Sequence, residues 1–283
     1  MTGISLTQRW QIPVVITVHA TARGAYQNIL PDEVTRFEKL ERQMCQIAEQ
    51  VIVASEAMRQ EVATLFGIPF KKISVIPNGI NMDPDNLIST QTATELRQRY
   101  VAADEKLLLY VGRASFEKGL ITLIRAMPDI LCDRPNVRLL VASMHGRTLQ
   151  PLVDELGIEH AVNFLGYVSD EVRDQLYQTA DALIIPSLYE PFGLVALEAM
   201  ALGCTVLASN VGGLSEVVRH EETGLLFPPN DHAQIAHAVD RLFGDPDAAQ
   251  RWQTAALREI ETRYQWSGIA SQTANLYRSV TLS

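Results

Sequence analysis

Short runs of Val, Ile and Leu alternate with helix-period segments along almost the whole chain. Runs this apolar suit strands buried on both faces, and strands separated by helices suit a parallel sheet. The pattern therefore predicts α/β architecture. In the first section the predicted strands are 13–19 (PVVITVH), 50–55 (QVIVAS) and 72–78 (KISVIPN). The helix 31–49 between the first two opens with Pro31 and acids, as a helix N-terminus should. The next helix follows Ser55 as N-cap and stops at Gly67. Residues 79–105 are polar, carry a short helix at 92–100, and read as the crossing between domains.

The second section is a fuller series. Strands are predicted at 106–112, 137–143, 161–166, 180–187, 204–209 and 223–228, with helices between them. Six strands with interleaved helices make a complete doubly wound domain. The tail from Asp231 is helical, with breaks at GDPDAA and near YQWSG. The expected organisation is a partial N-terminal Rossmann-like domain (1–95), a complete C-terminal doubly wound domain (96–260) and a C-terminal helix (261–283) crossing back to the N-terminal part.

Composition sets few further limits. The 283 residues are 47% hydrophobic and 20% charged, ordinary for a soluble globular protein. A net charge of −9 argues against nucleic acid as the main partner, but leaves room for a small anionic ligand held by a local cluster of cations. Cys45, Cys132 and Cys204 are scattered, without metal spacing, and read as a reduced cytoplasmic chain. No apolar run approaches a membrane span, and residues 1–15 lack the charged and apolar regions of a signal peptide.

In open parallel sheets the ligand sits beyond the carboxyl ends of the strands, so the loops leaving each strand carry the site. After 106–112 comes GRASFEKGL, with Arg113 at the strand end and Lys118 expected in the first turn of the next helix. Two cations there oppose the helix dipole, which suits an anion between them, phosphate above all. Solvated surface cations, with Lys118 paired to Glu117, are an equal reading. After 180–187 comes LYEPFGLVALEAM, where Pro191 and Gly193 form a turn that turns backbone N–H groups outward. On a continuous helix Glu198 lies two turns from Glu190 near the same face, since eight residues rotate by roughly 80°. A carboxylate there accepts from paired sugar hydroxyls. A wet stripe on a surface helix, with Glu190 as a capping acid, fits the pattern as well. Gly212 and Gly213 precede a helix with Glu216 in its first turn, a weak phosphate signal and more often a tight turn. His19 ends its strand and so faces the same side, although a lone His is more often structural.

Taken together, VITVH, VIPNGIN, YVGRASFEKGL, NFLGYVSDE, LIIPSLYEPFGLVALEAMALG, GGLSEVV and TGLLFPPND resemble retaining glycosyltransferases of family GT4, with the GT-B fold. The resemblance runs from about residue 12 to the C-terminus, and its most specific part is the E-x7-E element from Glu190 to Glu198. It implies that Arg113 and Lys118 grip the donor diphosphate, that Glu198 binds the ribose hydroxyls, and that Glu190 contacts the transferred sugar. It further implies that the backbone of Phe192, Gly193 and Leu194 lies near that sugar and the distal phosphate. Tyr167 and Val168 would then wall the base pocket, and His19 would face the reaction centre. The implied donor is a UDP-, GDP- or ADP-hexose, used without a cofactor or a metal, and the acceptor is a glycan, lipid or small molecule. Peripheral attachment to the inner membrane goes with a lipid acceptor.

The chain departs from the family at its front. The family's N-terminal domain is a full sheet whose first strand carries a glycine-rich loop, whereas this sequence starts just before the strand ending in His19. Thr205 and Ser215 stand where the family usually has Pro, and 141–148 (VASMHGRT) replaces a more glycine-rich stretch. Three accounts are open: a fragment, half of a split enzyme paired with a chain that supplies the missing part, or a donor-binding remnant without activity. A nucleotide-sugar 2-epimerase shares the architecture, but the E-x7-E segment favours the transferase.

Overall fold

A computed structural model describes residues 12–26, 31–81 and 87–281. Most of the N-terminal segment 1–15, on which the leader question turns, and part of the 79–105 crossing lie outside these residues. The chain divides into two compact units, Met1–Gly79 with Arg263–Ser283, and Ile80–Thr262.

The first unit holds a parallel sheet of β1 (Val15–Val18), β2 (Gln50–Val53) and β3 (Ile73–Val75), in that spatial order. Register pairs Ile16 with Val51, and Val51 with Ile73. Helices α1 (Ala22–Ala25), α2 (Pro31–Ile47) and α3 (Glu56–Phe66) fill the connections. The Ser55 hydroxyl accepts the Met58 N–H at 3.1 Å and Gly67 takes φ 67°, so α3 starts and stops as its sequence dictates. Met58, Val62 and Phe66 on α3 pack with Val51, Val53 and Ile73 into one core. Ile269, on the closing helix of the chain, packs on Ile52 and Ile76.

The second unit is a six-stranded parallel sheet of β4 (Lys106–Val111), β5 (Val137–Ala142), β6 (Val162–Phe164), β7 (Ala182–Ile185), β8 (Val206–Ser209) and β9 (Leu225–Phe227). The order across the sheet is β6-β5-β4-β7-β8-β9, which is 3-2-1-4-5-6 counted within the unit. That is the doubly wound order. Its helices are α4 (Thr90–Arg97), α5 (Leu120–Asp133), α6 (Gln150–Glu155), α7 (Asp170–Thr179), α8 (Leu194–Ala201), α9 (Leu214–Val217), α10 (His232–Gly244) and α11 (Pro246–Arg263). The closing helix, α12 (Trp266–Thr281), belongs to the first unit. Each of the nine predicted strands is present, shorter by a few residues at its ends.

β4, β7 and β8 are buried along nearly their whole length, which explains their unbroken aliphatic sequences. The entries of β4 and β7 are held by Arg97 on α4. Its guanidinium donates to the Thr179 and Glu105 carbonyls, each at 2.8 Å, and to the Asp181 carboxylate at 2.7 Å. Asp181 also accepts the Leu107 N–H at 2.6 Å. All three cysteines are free, and burial pushes the Cys45 and Cys204 thiols up to about 12, so both are inert core residues.

Candidate active site at the strand crossover

From β4 the chain winds to one side through β5 and β6, then returns to the other side of β4 at β7. At such a switch point open α/β sheets bind ligands in the crevice outside the carboxyl ends of the strands. Residues 112–119 leave β4 and residues 186–193 leave β7. Their side chains meet: Lys118 Nζ lies 2.7 Å from Glu190 Oε2, with 24% and 14% of the two side chains exposed. The backbones meet as well, because the Glu117 carbonyl accepts the Leu188 N–H at 2.8 Å and the Tyr189 N–H at 3.3 Å.

Lys118 is not in the first turn of a helix, as the spacing suggests. It ends a 3-10 turn, Phe116–Lys118, and α5 starts only at Leu120, after Gly119 in a left-handed conformation. Nor does Lys118 pair with Glu117. Arg113 takes that acid at 2.9 Å, Ser115 donates to it at 2.7 Å, and 72% of the Arg113 side chain stays exposed. The Tyr110 hydroxyl donates to the Arg113 carbonyl at 2.6 Å. Burial, with the charges of Glu117 and Glu190, pushes its pKa up, so it remains a donor.

Glu190 is likewise not part of a helix. α8 begins at Leu194 with Gly193 at φ 106° as its N-cap and no side-chain cap, so the two-turn argument does not apply and Glu190 is no capping acid. Phe192 is buried and Leu194 is exposed. The Glu190 turn rests on the Gly212–Gly213 turn, where the Gly213 N–H donates to the Glu190 carbonyl at 2.9 Å. A Cβ on Gly212 would lie 2.2 Å from that carbonyl oxygen, and one on Gly213 2.4 Å from the Phe192 Cα. Close backbone approach explains the glycine pair.

Glu198 lies in α8, and its carboxylate is partnered by a helix that the sequence reading passed over. From α7, the Tyr177 hydroxyl is 3.4 Å and the Arg173 Nε 3.8 Å from the same oxygen, Oε2. Arg173 and Tyr177 are spaced i, i+4 on α7, the only trace of this contact in the sequence. Burial raises the Glu198 pKa, with Arg173 and Tyr177 opposing that rise and Asp174 and Asp170 adding to it. The folded chain thus holds a proton that the unfolded chain releases, so stability from this group is lost as pH rises from the ordinary carboxylate range through the raised value. Glu198→Gln lacks that slope. Its stability relative to wild type, followed by urea unfolding, should improve as pH rises from about 4 to about 8.

Tyr167 and Val168 follow β6 at the same edge of the sheet, with Tyr167 73% exposed. Ser143 and Ser187, just past β5 and β7, have buried hydroxyls without a hydrogen-bond partner among the described residues. Orphaned hydroxyls at a carboxyl edge are what a polar ligand satisfies. Thus Arg113, Lys118, Glu190, Phe192 and Gly193 gather on the two crevice loops, while Leu194 and Glu198 stand on α8 and Tyr167 and Val168 on the next loop but one. His19 lies in the first unit, exposed at the end of β1, where it lines a cavity of ≈ 550 Å³ with Leu40, Glu41 and Met44. Among the described residues no group of three or more His, Cys, Asp or Glu is placed to hold a metal ion, and no helix is long and apolar enough to cross a membrane.

Residues 92–259 match the family described as Glycosyl transferases group 1, and residues 2–84 match Glycosyltransferase Family 4. The chain is 37% identical over 280 residues to an uncharacterized glycosyltransferase of Methanocaldococcus jannaschii, covering 98% of this chain and 72% of the relative. It superposes on a sucrose-phosphate synthase from Thermosynechococcus elongatus with TM-score 0.87 and 31% identity, over 99% of this chain and 71% of that one. Against Anabaena HepE, solved in complex with UDP-glucose, the TM-score is 0.86 at 25% identity, over 98% and 75% of the two chains. The chain spans 60–72% of the length of the curated relatives it matches. On these matches and its doubly wound second unit, the chain belongs to the Glycosyl transferases group 1 family and has the GT-B fold.

Proposed function

We propose that the chain transfers a hexosyl group from a UDP-, GDP- or ADP-hexose to an acceptor hydroxyl, with retention at the anomeric carbon and without a metal or other cofactor. The observation that carries this reading is the Lys118–Glu190 pair in the crevice at the switch point. It puts a cation for phosphate and a carboxylate for sugar hydroxyls side by side. The UDP-glucose complex of the HepE neighbour supports a nucleotide-sugar as the donor.

In this reading Arg113 and Lys118 hold the diphosphate and stabilise its charge as the anomeric C–O bond breaks. Glu190 and the backbone of Phe192, Gly193 and Leu194 hold the sugar, Glu198 the ribose, and Tyr167 and Val168 the base. The acceptor oxygen bonds to the anomeric carbon on the face the nucleotide leaves, and its proton passes to the departing phosphate oxygen. His19 is assigned to the reaction centre and the acceptor is a glycan, a lipid or a small molecule met in the cytoplasm or at the inner membrane.

Arg113→Ala tests the phosphate assignment. Among the described residues its guanidinium has one acid partner and 72% of the side chain is exposed, so its removal should weaken binding of UDP, GDP or ADP by about 10- to 100-fold, the scale of a charge-assisted contact. Binding of the matching nucleoside should change little. Calorimetry showing equal losses for both would remove Arg113 from the phosphate site.

One observation favours a second reading. β1 is the edge of its sheet among the described residues, yet it reads VITV, with neither the charge nor the bulge that protects an edge. Phe37 and Leu40 on α2 are exposed in the same unit. In this reading a separate polypeptide completes the sheet, and the chain alone binds donor without turning it over. Release of free glucose from UDP-glucose by the chain alone would exclude it.

A further inference from the structure

We propose that Arg173, with Tyr177, is the positioning residue for ribose recognition: the pair on α7 holds one oxygen of Glu198 and leaves the other for the nucleotide's hydroxyls. The inference rests on the assignment of Glu198 to ribose and extends it to a second helix.

Three observations carry it. Both α7 contacts converge on Oε2, at 3.4 Å from the Tyr177 hydroxyl and 3.8 Å from Arg173 Nε. Arg173 Nε gives its one N–H to Asp174, so its pull on Oε2 is charge attraction beside the Tyr177 hydrogen bond, and among the described residues Oε1 has no such contact. Arg173 is itself fixed, because its guanidinium binds Asp170 at 2.8 Å and Asp174 at 2.8 and 3.0 Å. A guanidinium clamped by two acids of its own helix presents a stationary face to Glu198, and Tyr177 is buried against it.

The charges around Glu198 explain what the clamp does. Among the described residues the ionisable groups that act on it most are Arg173, Tyr177, Asp174 and Asp170, all on α7, and of these only Arg173 is positive. Burial and two neighbouring acids favour the neutral carboxyl, and Arg173 opposes them. Without Arg173 the carboxyl takes up a proton more readily. It then loses the ionised acceptor that distinguishes a ribose hydroxyl from a hydrogen.

The test compares whichever of UDP, GDP and ADP binds most tightly with its 2′-deoxy analogue, by calorimetry on the full chain. Wild type should prefer the ribonucleotide by about 10- to 100-fold, the scale of one or two hydrogen bonds to a charged group. Arg173→Met keeps the aliphatic stem and should cut that preference to about threefold or less at a pH where wild type still discriminates, with the preference returning as pH rises and Glu198 ionises. Arg173→Lys keeps the charge and should keep most of the preference. Glu198→Gln should lose it at every pH.

The outcomes separate the two ideas. If Glu198→Gln discriminates as wild type does, or wild type does not discriminate, the ribose assignment falls and this inference with it. If Glu198→Gln loses discrimination while Arg173→Met keeps it, the ribose assignment stands and Arg173 only ties α7 together. A loss in Arg173→Met that no rise in pH recovers, or that Arg173→Lys shares in full, also overturns the inference, because it points to a shifted helix. Lys118→Met should weaken both nucleotides alike and leave their ratio unchanged.

Discussion

Lys118→Met should lower turnover of a nucleotide-sugar donor by about 100- to 1000-fold, the usual cost of removing one preorganised group that stabilises transition-state charge. The lysine stands where the loops from β4 and β7 meet, with three quarters of its side chain covered, so its charge acts through little water. Charge on the leaving diphosphate grows as the anomeric bond breaks. The loss should therefore appear mainly in kcat, and the affinity for UDP should fall by only about tenfold. Lys118→Arg keeps the charge but moves it, and should recover a part of the rate.

Glu190 complicates the experiment in a useful way. Removing Lys118 leaves that carboxylate without its counter-charge, at a cost between the roughly 0–1 kcal/mol of an exposed pair and the roughly 3–5 kcal/mol of a buried one. The double variant Lys118→Met with Glu190→Gln removes both charges. Stability should then recover while turnover stays low. If turnover recovers with stability, Lys118 serves only to neutralise Glu190, and the diphosphate assignment is wrong.

What could be read from the sequence was local. Nine strands were legible because each is a short aliphatic run, and α3 was legible because Ser55 and Gly67 cap it with their own backbone and side-chain chemistry. Everything that depends on two distant segments was not. Strand order follows from which side each crossover takes, and no local pattern records that, so the switch point between β4 and β7 emerged only with the fold. The one partner the sequence offered Lys118 was the next-door Glu117, as one of two equal readings, whereas its acid partner lies 72 residues away. Glu198 looked unpaired for the same reason, since Arg173 and Tyr177 reach it from another helix. The two-turn relation between Glu190 and Glu198 held only on the condition of a continuous helix. Gly193, with a φ that favours glycine, starts α8 after Glu190 instead.

Gly119→Ala should destabilise the second unit by about 3 kcal/mol or more, as a cost set by position and not by helix propensity. Gly119 has φ 66°, and the strain of placing an L side chain there is on the order of 1–2 kcal/mol. Gly157 provides the comparison, because it has φ 68° and nothing within 4 Å of an added Cβ. Gly157→Ala should therefore show the conformational strain alone. At Gly119 the added carbon would lie 1.9 Å from the Pro186 carbonyl oxygen, which is backbone and has no rotamer to escape into. Either the β4 loop or the β7 loop must move. Each movement strains the Leu188 N–H to Glu117 carbonyl bond and the Lys118–Glu190 pair, because both span the same two loops. Urea unfolding of the two variants isolates the difference. In the fraction still folded, Gly119→Ala should also bind UDP more weakly than Gly157→Ala, since the crevice itself is displaced. Equal costs for the two substitutions would mean that the loops yield freely, and the crevice would not be the preorganised charge site on which the Lys118 result depends.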